Sequence, residues 1–238
     1  MSSYTLYYWA VPFRGQFVRA LLAYDGQAWN EVGDDAIQAL MQREPQDMPV
    51  PFMGPPVLID DEAGVAVSQM PAIMLYLGEK LGLLPDDLAL RALSIKVVND
   101  ANDVIDEITL DGGREMWTEA KWVSFVPRLQ KWMHLSEALG KRHGLADQSG
   151  FLLGGSEPGV ADIATATLWS TLIERFPSIG VMLEAEAPLT ASLVRRVSQA
   201  PGLAELASRS RHDYGDVYCG GRIEQSLRKV LETTTDRL

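Results

Sequence analysis

The sequence predicts two modules in one chain, an α/β first module followed by an all-helical second one. Three observations carry this reading. Between Tyr4 and Tyr24 the apolar period switches from strand-like to helix-like, strand signals all but vanish beyond Leu88, and a glycine and proline break at 82–87 separates the two regimes.

The segment 4–10 (YTLYYWA) is rich in residues that suit a half-buried pleated surface and predicts the first strand. After Pro12, the apolar residues Phe17, Ala20, Leu21 and Tyr24 recur at helical spacing until Asp25-Gly26 supplies a stop. Trp29 to Val32 reads as a second short strand. Glu44 to Pro56 holds five prolines, too many for regular structure. Val57–Ile59 and Val65–Val67, joined by Asp60 to Gly64, read as a hairpin. Pro71 fits a first helical position, and Ile73, Tyr76, Leu77, Leu81 and Leu84 mark the apolar face of the helix it opens. The first module is thus β-α-β-(irregular)-β-β-α over residues 1–84. From residue 88 to 238 the pattern is helical. Leu93, Val97, Ala101, Val104 and Ile108 give one long amphipathic face. A second helix is expected to begin near Pro127, a third to span Gly159–Glu174, a fourth Leu189–Ser198, and a short fifth to open at Pro201. A tail, 214–238, carries Gly220-Gly221 and a possible last helix whose packing the sequence leaves open.

Composition excludes several functions. Lys and Arg total 21 against 32 Asp and Glu, and no local basic patch offsets the net charge of -11, so a nucleic-acid partner is not expected. The longest apolar runs, such as Met70 to Leu77, fall well short of the roughly 20 residues of a bilayer span, so no membrane association is expected. The start Met-Ser-Ser-Tyr lacks a basic and then apolar leader, which predicts a cytoplasmic protein. One cysteine, Cys219, and three scattered histidines (His134, His143, His212) supply neither a disulfide framework nor metal-ligand spacing.

Five separated pieces together resemble the glutathione transferases over nearly the whole chain. Tyr8-Trp9 followed by Arg14-Gly15 is similar to the first strand and helix start of the tyrosine-type classes, particularly mu, with a loop about two residues longer. Gly54-Pro55-Pro56-Val57-Leu58 resembles the turn that carries the family's cis-proline. Gln69-Met70-Pro71-Ala72-Ile73 with Tyr76-Leu77 stands where the family has Gln/Glu-Ser-x-Ala-Ile-x-x-Tyr-Leu. Val98-Asn99-Asp100 matches a stretch of the first long helix of the pi class, and Phe151-Leu152 through Val160-Ala161-Asp162-Ile163 resembles the family's Phe-Leu-x-Gly and Ser-x-Ala-Asp-Ile elements. The resemblance implies a thioredoxin-like N-terminal domain joined to an all-α C-terminal domain, a homodimer, and a detoxifying transferase that uses glutathione as co-substrate without a further cofactor or metal.

The chemistry required of such an enzyme is modest. A cysteinyl thiol has an unperturbed pKa of about 8.5, and lowering it by two units takes about 2.7 kcal/mol. One hydrogen bond to a charged group supplies roughly 1.5 to 3 kcal/mol, and a helix N-terminus adds roughly 0.3 to 1. A phenol at a strand end facing a helix start is therefore sufficient. Tyr7 and Tyr8 point to opposite faces of a strand and cannot both reach one thiol. The resemblance to the family's Tyr-Trp pair selects Tyr8 as catalytic, against the alternative of a core tyrosine with a satisfied hydroxyl. The resemblance further places Trp9 beside the glycyl end of glutathione; Arg14 is positioned to balance acidic charge near the mouth of the first helix; and the resemblance sets Asp100 near the γ-glutamyl amine of glutathione bound to a partner subunit. Packing, a surface ion pair and a solvated helix charge are the respective alternatives. Asp162, three residues after Gly159, fits a helix capping box. Cys219, far along the chain, is expected to be a bystander.

Two departures bear on binding. Pro55 precedes the expected cis-proline, where the family clamps the cysteinyl unit through backbone N–H and C=O, and proline has no N–H. Met70 replaces a serine that caps the helix after Gln69 and binds the γ-glutamyl carboxylate, leaving only its backbone N–H at a helix end that attracts anions. The favoured function is conjugation of the glutathione thiolate to an electrophilic, mostly apolar substrate. The alternative is a non-catalytic protein that keeps the scaffold for binding or interaction. Thiol–disulfide reduction is disfavoured, because no cysteine lies near the first helix.

Overall fold

A computed structural model describes residues 3–235. Four strands, β1 (Tyr4–Tyr7), β2 (Trp29–Val32), β3 (Val57–Asp60) and β4 (Val65–Ser68), form one sheet in the order β2-β1-β3-β4. β1 pairs with β2 in parallel and with β3 antiparallel, and β4 runs antiparallel to β3. Helices α1 (Phe13–Tyr24), α2 (Asp34–Met41) and α3 (Met70–Lys80) complete a βαβαββα thioredoxin-like unit. Its parallel pair, β1 and β2, is joined through α1, and its antiparallel neighbours β3 and β4 through a hairpin.

The first strand is shorter than the sequence predicts. Its neighbours end at Val32 and Val57, both opposite Tyr7, so Tyr8 has no ladder to join. The chain instead turns through Trp9–Pro12, where the Val11 N–H donates to the Trp9 carbonyl at 2.7 Å. Helix α2 is absent from the predicted order. Only Ile37 and Leu40 of its eight residues are buried, a pattern too brief to read as a period, although Gly33 and the acidic first turn Asp34-Asp35 suit a helix start. Within the proline-rich stretch, Pro45–Asp47 forms a single 3-10 turn.

Among the described residues eight helices follow: α4 (Leu88–Ile108), α5 (Leu110–Gly113), α6 (Glu119–Arg142), α7 (Val160–Arg175), α8 (Pro177–Glu186), α9 (Pro188–Ser198), α10 (Pro201–Tyr214) and α11 (Gly221–Thr235). Helix α4 starts as predicted, with the Asp87 carboxylate accepting the Leu90 N–H at 2.9 Å. Helix α6 starts two turns before the expected Pro127. Thr118 caps it through the Lys121 N–H at 3.3 Å, and buried Trp122 packs edge-on against Trp117 with ring centres 5.3 Å apart. That packing holds the turns ahead of Pro127, whose missing N–H removes one helical bond. Helix α8 lies in a stretch to which the sequence reading assigns no element, and α10 is four turns long rather than short.

Helix α7 is the centre of the second module. It is buried nearly all round and packs against α1, α4, α8 and α9, as a helix apolar on every side must. The capping box read from Gly159 and Asp162 is present: the Asp162 carboxylate accepts the N–H of Gly159 at 3.0 Å and of Leu152 at 2.7 Å. Helix α10 closes on α1 at Gly202, where a Cβ would lie 1.9 Å from the Ala23 carbonyl oxygen, so only glycine permits the approach. Among the described residues no helix is long and apolar enough to cross a membrane.

Candidate functional site

The strand register gathers the predicted site at one end of the sheet. Tyr7 lies opposite Val57, and Val57 opposite Ser68. The residues just beyond, Tyr8 and Trp9 after β1, Pro55 and Pro56 before β3, and Gln69 and Met70 after β4, therefore share one edge. The Pro55–Pro56 peptide bond is cis, and the Gln69 N–H donates to the Pro56 carbonyl at 3.2 Å, tying the start of α3 to that turn. Gln69 is exposed and holds φ 73°, a left-handed conformation that L-residues seldom adopt.

Tyr8 and Tyr7 take opposite faces, as the alternation requires. Tyr8 is buried at 4% exposure on the helix α1 side, whereas Tyr7 lines a hollow beside α2 with Leu40, Arg43 and Ile59. The Tyr8 hydroxyl accepts the backbone N–H of Arg14 at 3.0 Å, at the first turn of α1, and the Gly15 amide also faces it. Burial pushes the Tyr8 pKa well above that of an ordinary phenol, against the opposing pull of the Arg14 charge, these amides and Arg19. The hydroxyl thus keeps its proton at neutral pH. It accepts from the helix end and has that proton left to donate.

Gly15 is required for this seating, because a Cβ there would stand 2.2 Å from Cδ1 of the Tyr8 ring. Behind the ring sits the buried guanidinium of Arg19, 5.6 Å from the ring centre. It forms a two-pronged bond to Glu31 at 2.7 and 2.8 Å and donates to the Val11 carbonyl at 2.9 Å. Arg14 is held from α4, with Nε donating to Asn102 at 3.1 Å and its guanidinium paired with Asp106 at 2.9 Å. Its positive charge is thereby fixed next to the Tyr8 hydroxyl.

Trp9 is half-buried at the margin of the core. Met70 is buried completely in the core, and no side chain caps α3, so the group that Met70 presents at the helix start is its backbone N–H. Asp100 lies elsewhere. It pairs with Lys96 one turn back and borders the groove between α4 and α6 with Trp132 and Ser136. At 100° per residue it stands roughly opposite Asn102 on the helix, away from Arg14 of its own chain.

Several neighbours of the site are absent from the sequence reading. Asn102 and Asp106 are spaced i,i+4 on α4, but only the fold shows that this face meets Arg14. The tail supplies another. Tyr218, just before α11, is buried edge-on against Phe13 at the start of α1, with ring centres 5.4 Å apart, and against Phe176 at 5.5 Å. Burial raises its pKa well above the usual value, against the opposing pull of the Arg14 charge. The tail thus packs against the mouth of α1, held by the Glu224 carboxylate, which accepts the N–H groups of Tyr218, Cys219 and Gly220 at 3.0, 2.9 and 2.7 Å. Cys219 is half-buried, and burial, followed by Glu224, pushes its thiol up to about 12, so it stays protonated. Among the described residues no cluster of three His, Cys, Asp or Glu could hold a metal ion.

None of the curated proteins compared with the chain matches it. Solved structures do. That of NaGST-2 superposes with TM-score 0.69 at 24% identity, covering 87% of this chain and 97% of that one. The pi-class glutathione S-transferase of Onchocerca volvulus gives 0.71 at 17% identity, covering 92% and 98%. NaGST1 gives 0.70 at 22%, covering 87% and 97%. At these identities the likeness establishes the fold, an N-terminal thioredoxin-like unit followed by an all-helical domain. The sequence profile of the glutathione S-transferase C-terminal domain matches residues 93–230, more than half of the chain. With that match on the helical half and the thioredoxin-like sheet on the other, the chain belongs to the glutathione S-transferase family.

Proposed function

We propose that this protein is a tyrosine-type glutathione transferase that conjugates the thiolate of glutathione to an electrophilic, hydrophobic substrate. The observation that carries the reading is the Tyr8 hydroxyl at the N-terminus of α1, accepting the Arg14 amide and keeping its own proton. In the proposed reaction the glutathione thiol gives its proton to solvent, and the resulting thiolate accepts a hydrogen bond from Tyr8. The sulfur then attacks an electrophilic carbon, forming a C–S bond as the leaving group departs with its electron pair. Arg14, fixed by Asn102 and Asp106, adds positive charge beside the developing anion. The γ-glutamyl carboxylate is assigned to the amide end of α3 at Gln69 and Met70, and Trp9 borders the opposite end of the peptide. The carbonyl of Pro55 provides the acceptor half of the backbone clamp.

Residues 1–84 act in this proposal as the glutathione-binding domain, and residues 88–238 as the helical domain that holds the second substrate. The proposed protein is a cytoplasmic, detoxifying homodimer, with Asp100 reaching glutathione of the partner subunit. Two features favour a second reading, a binding protein without turnover: Pro55 offers no N–H, and Met70 turns its side chain into the core. Retention on immobilised glutathione followed by conjugation of a generic aryl halide tests both. Retention with turnover is the expected result. Retention without turnover selects the binding reading, and loss of both removes glutathione as the ligand.

A further inference from the structure

Tyr218 is a buried phenol that the reaction proposed above does not use. It is 2% exposed, and its ring packs edge-on against Phe13, which opens α1, and against Phe176, which joins α7 to α8. Phe13 also lies under the Arg14 guanidinium, 4.8 Å from its ring centre, so one ring touches both Arg14 and Tyr218. Phe13 holds φ 30°, a conformation that a bulky L-residue keeps only where its surroundings fix it. The tail is fixed as well. Glu224, which accepts the N–H groups of Tyr218, Cys219 and Gly220, is bound by Arg228 at 2.6 and 3.0 Å. The Arg228 guanidinium donates to the Arg175 carbonyl at 3.2 Å and lies 5.0 Å from the Phe176 ring centre.

The hydroxyl is the one part of Tyr218 left without a role in this packing. Among the described residues it has no hydrogen-bond partner, and its oxygen is not sealed from solvent. Side-chain hydroxyls in protein interiors are almost always bonded, so a fixed phenol with one open side points to an acceptor from outside the chain. It stands near enough to Arg14 and Tyr8 that a charge on either would act on it. Burial keeps it protonated at neutral pH, which makes it a donor. Tyr8 already serves the sulfur, whereas Tyr218 is carried by the helical module, which is assigned the second substrate.

We propose that Tyr218 is a second catalytic donor, bonding an oxygen of the electrophile on which negative charge develops as the sulfur attacks. The inference rests on the transferase reading and names a substrate class for it, α,β-unsaturated carbonyl compounds. With such an enone the thiolate sulfur adds to the β-carbon. The C–S bond forms as the C=C π bond breaks, and that electron pair is delocalised onto the carbonyl oxygen. The Tyr218 O–H donates to this enolate oxygen and stabilises it. A proton from solvent, matching the one the thiol released, then reaches the α-carbon, so the sum is an addition with no further reactant.

Initial rates with 4-phenyl-3-buten-2-one and with benzyl chloride test it on the wild type, Tyr218→Phe and Tyr8→Phe. Benzyl chloride also carries a phenyl ring, but its electron pair leaves on chloride and no oxygen becomes charged. The wild type should conjugate both. In Tyr218→Phe, which keeps the ring against Phe13 and Phe176, kcat/KM for the enone should fall at least about ten-fold further than for benzyl chloride. In Tyr8→Phe, where the sulfur loses its donor, the two should fall together. The pKa of the bound glutathione thiol should rise in Tyr8→Phe and stay at the wild-type value in Tyr218→Phe. Conjugation of benzyl chloride but not the enone by the wild type, an equal change for both substrates in Tyr218→Phe, or a raised thiol pKa in that variant would each overturn the proposal and leave the transferase reading standing. Failure of the wild type to turn over either compound would overturn both.

Discussion

The Tyr8 hydroxyl and the Arg14 amide meet at 3.0 Å, and this one bond joins the end of the first strand to the first turn of the first helix. It orients a protonated phenol with its oxygen toward the helix end, and the approach depends on the absence of a side chain at residue 15.

Gly15→Ala tests that dependence. The added methyl would stand 2.2 Å from the Tyr8 ring, so the ring must move away from the Arg14 amide. Conjugation turnover should fall ten-fold or more, equivalent to at least about 1.4 kcal/mol in the barrier. Thermal stability should fall too, as overpacking typically costs about 1–3 kcal/mol. Steady-state kinetics with an aryl halide and a melting curve measure the two effects.

Met70→Ser tests the ligand role of the start of α3. The N-cap of the helix is Gln69, so a serine at residue 70 acts on the ligand, and its hydroxyl bonded to a γ-glutamyl carboxylate is worth roughly 1.5 to 3 kcal/mol at most. From the sequence alone, stability is not expected to fall. Burial of Met70 in the core changes that expectation, because truncating a buried methionine costs about 2–5 kcal/mol. Calorimetric titration should show glutathione affinity rising by around ten-fold while the melting temperature drops.

Asp162 gives a pH signature of its own. Burial pushes its carboxyl up to about 6, although the amides of Leu152 and Gly159 pull the other way. A carboxyl with a folded pKa above its unfolded value of about 3.9 favours the fold in its protonated form, so its contribution is complete below pH 4 and lost as pH rises through 6. The stability difference between wild type and Asp162→Asn should therefore shrink by about 2–3 kcal/mol from pH 4 to pH 7. Urea unfolding at both pH values measures it, and a difference that grows with pH would contradict the assignment.

Assembly is expected to be dimeric, with α4 facing a partner on the side that carries Asp100. Light scattering at micromolar concentration should report twice the chain mass of 26.2 kDa. A stable particle of single mass would remove the cross-subunit role of Asp100.

The sequence made the sheet and most long helices legible, because each carries its own period. Elements of few buried residues were not, as Ile37 and Leu40 in α2 and Ile179 and Leu183 in α8 show. The start of α6 was misplaced because Pro127 reads as a helix opening, whereas the burial of Trp122 against Trp117 sets the boundary. At the site, Tyr8 and Arg14 are singled out separately in the sequence, and only the fold shows that the Arg14 amide meets the Tyr8 hydroxyl. Asn102, Asp106 and Tyr218 reach α1 only through tertiary packing, across separations for which neither period nor spacing carries a signal. The same holds for Met70, whose type is visible in sequence but whose burial is not.

The central claim is that Tyr8 stabilises the glutathione thiolate, and direct titration of the bound thiol tests it. The thiolate absorbance of the glutathione complex, followed against pH, should give a thiol pKa about two units below the free value of about 8.5 in the wild type and in Tyr7→Phe. In Tyr8→Phe it should return towards the free value, with turnover at least ten-fold lower. An equally lowered thiol pKa in Tyr8→Phe, or a return to the free value in Tyr7→Phe instead, would contradict the claim.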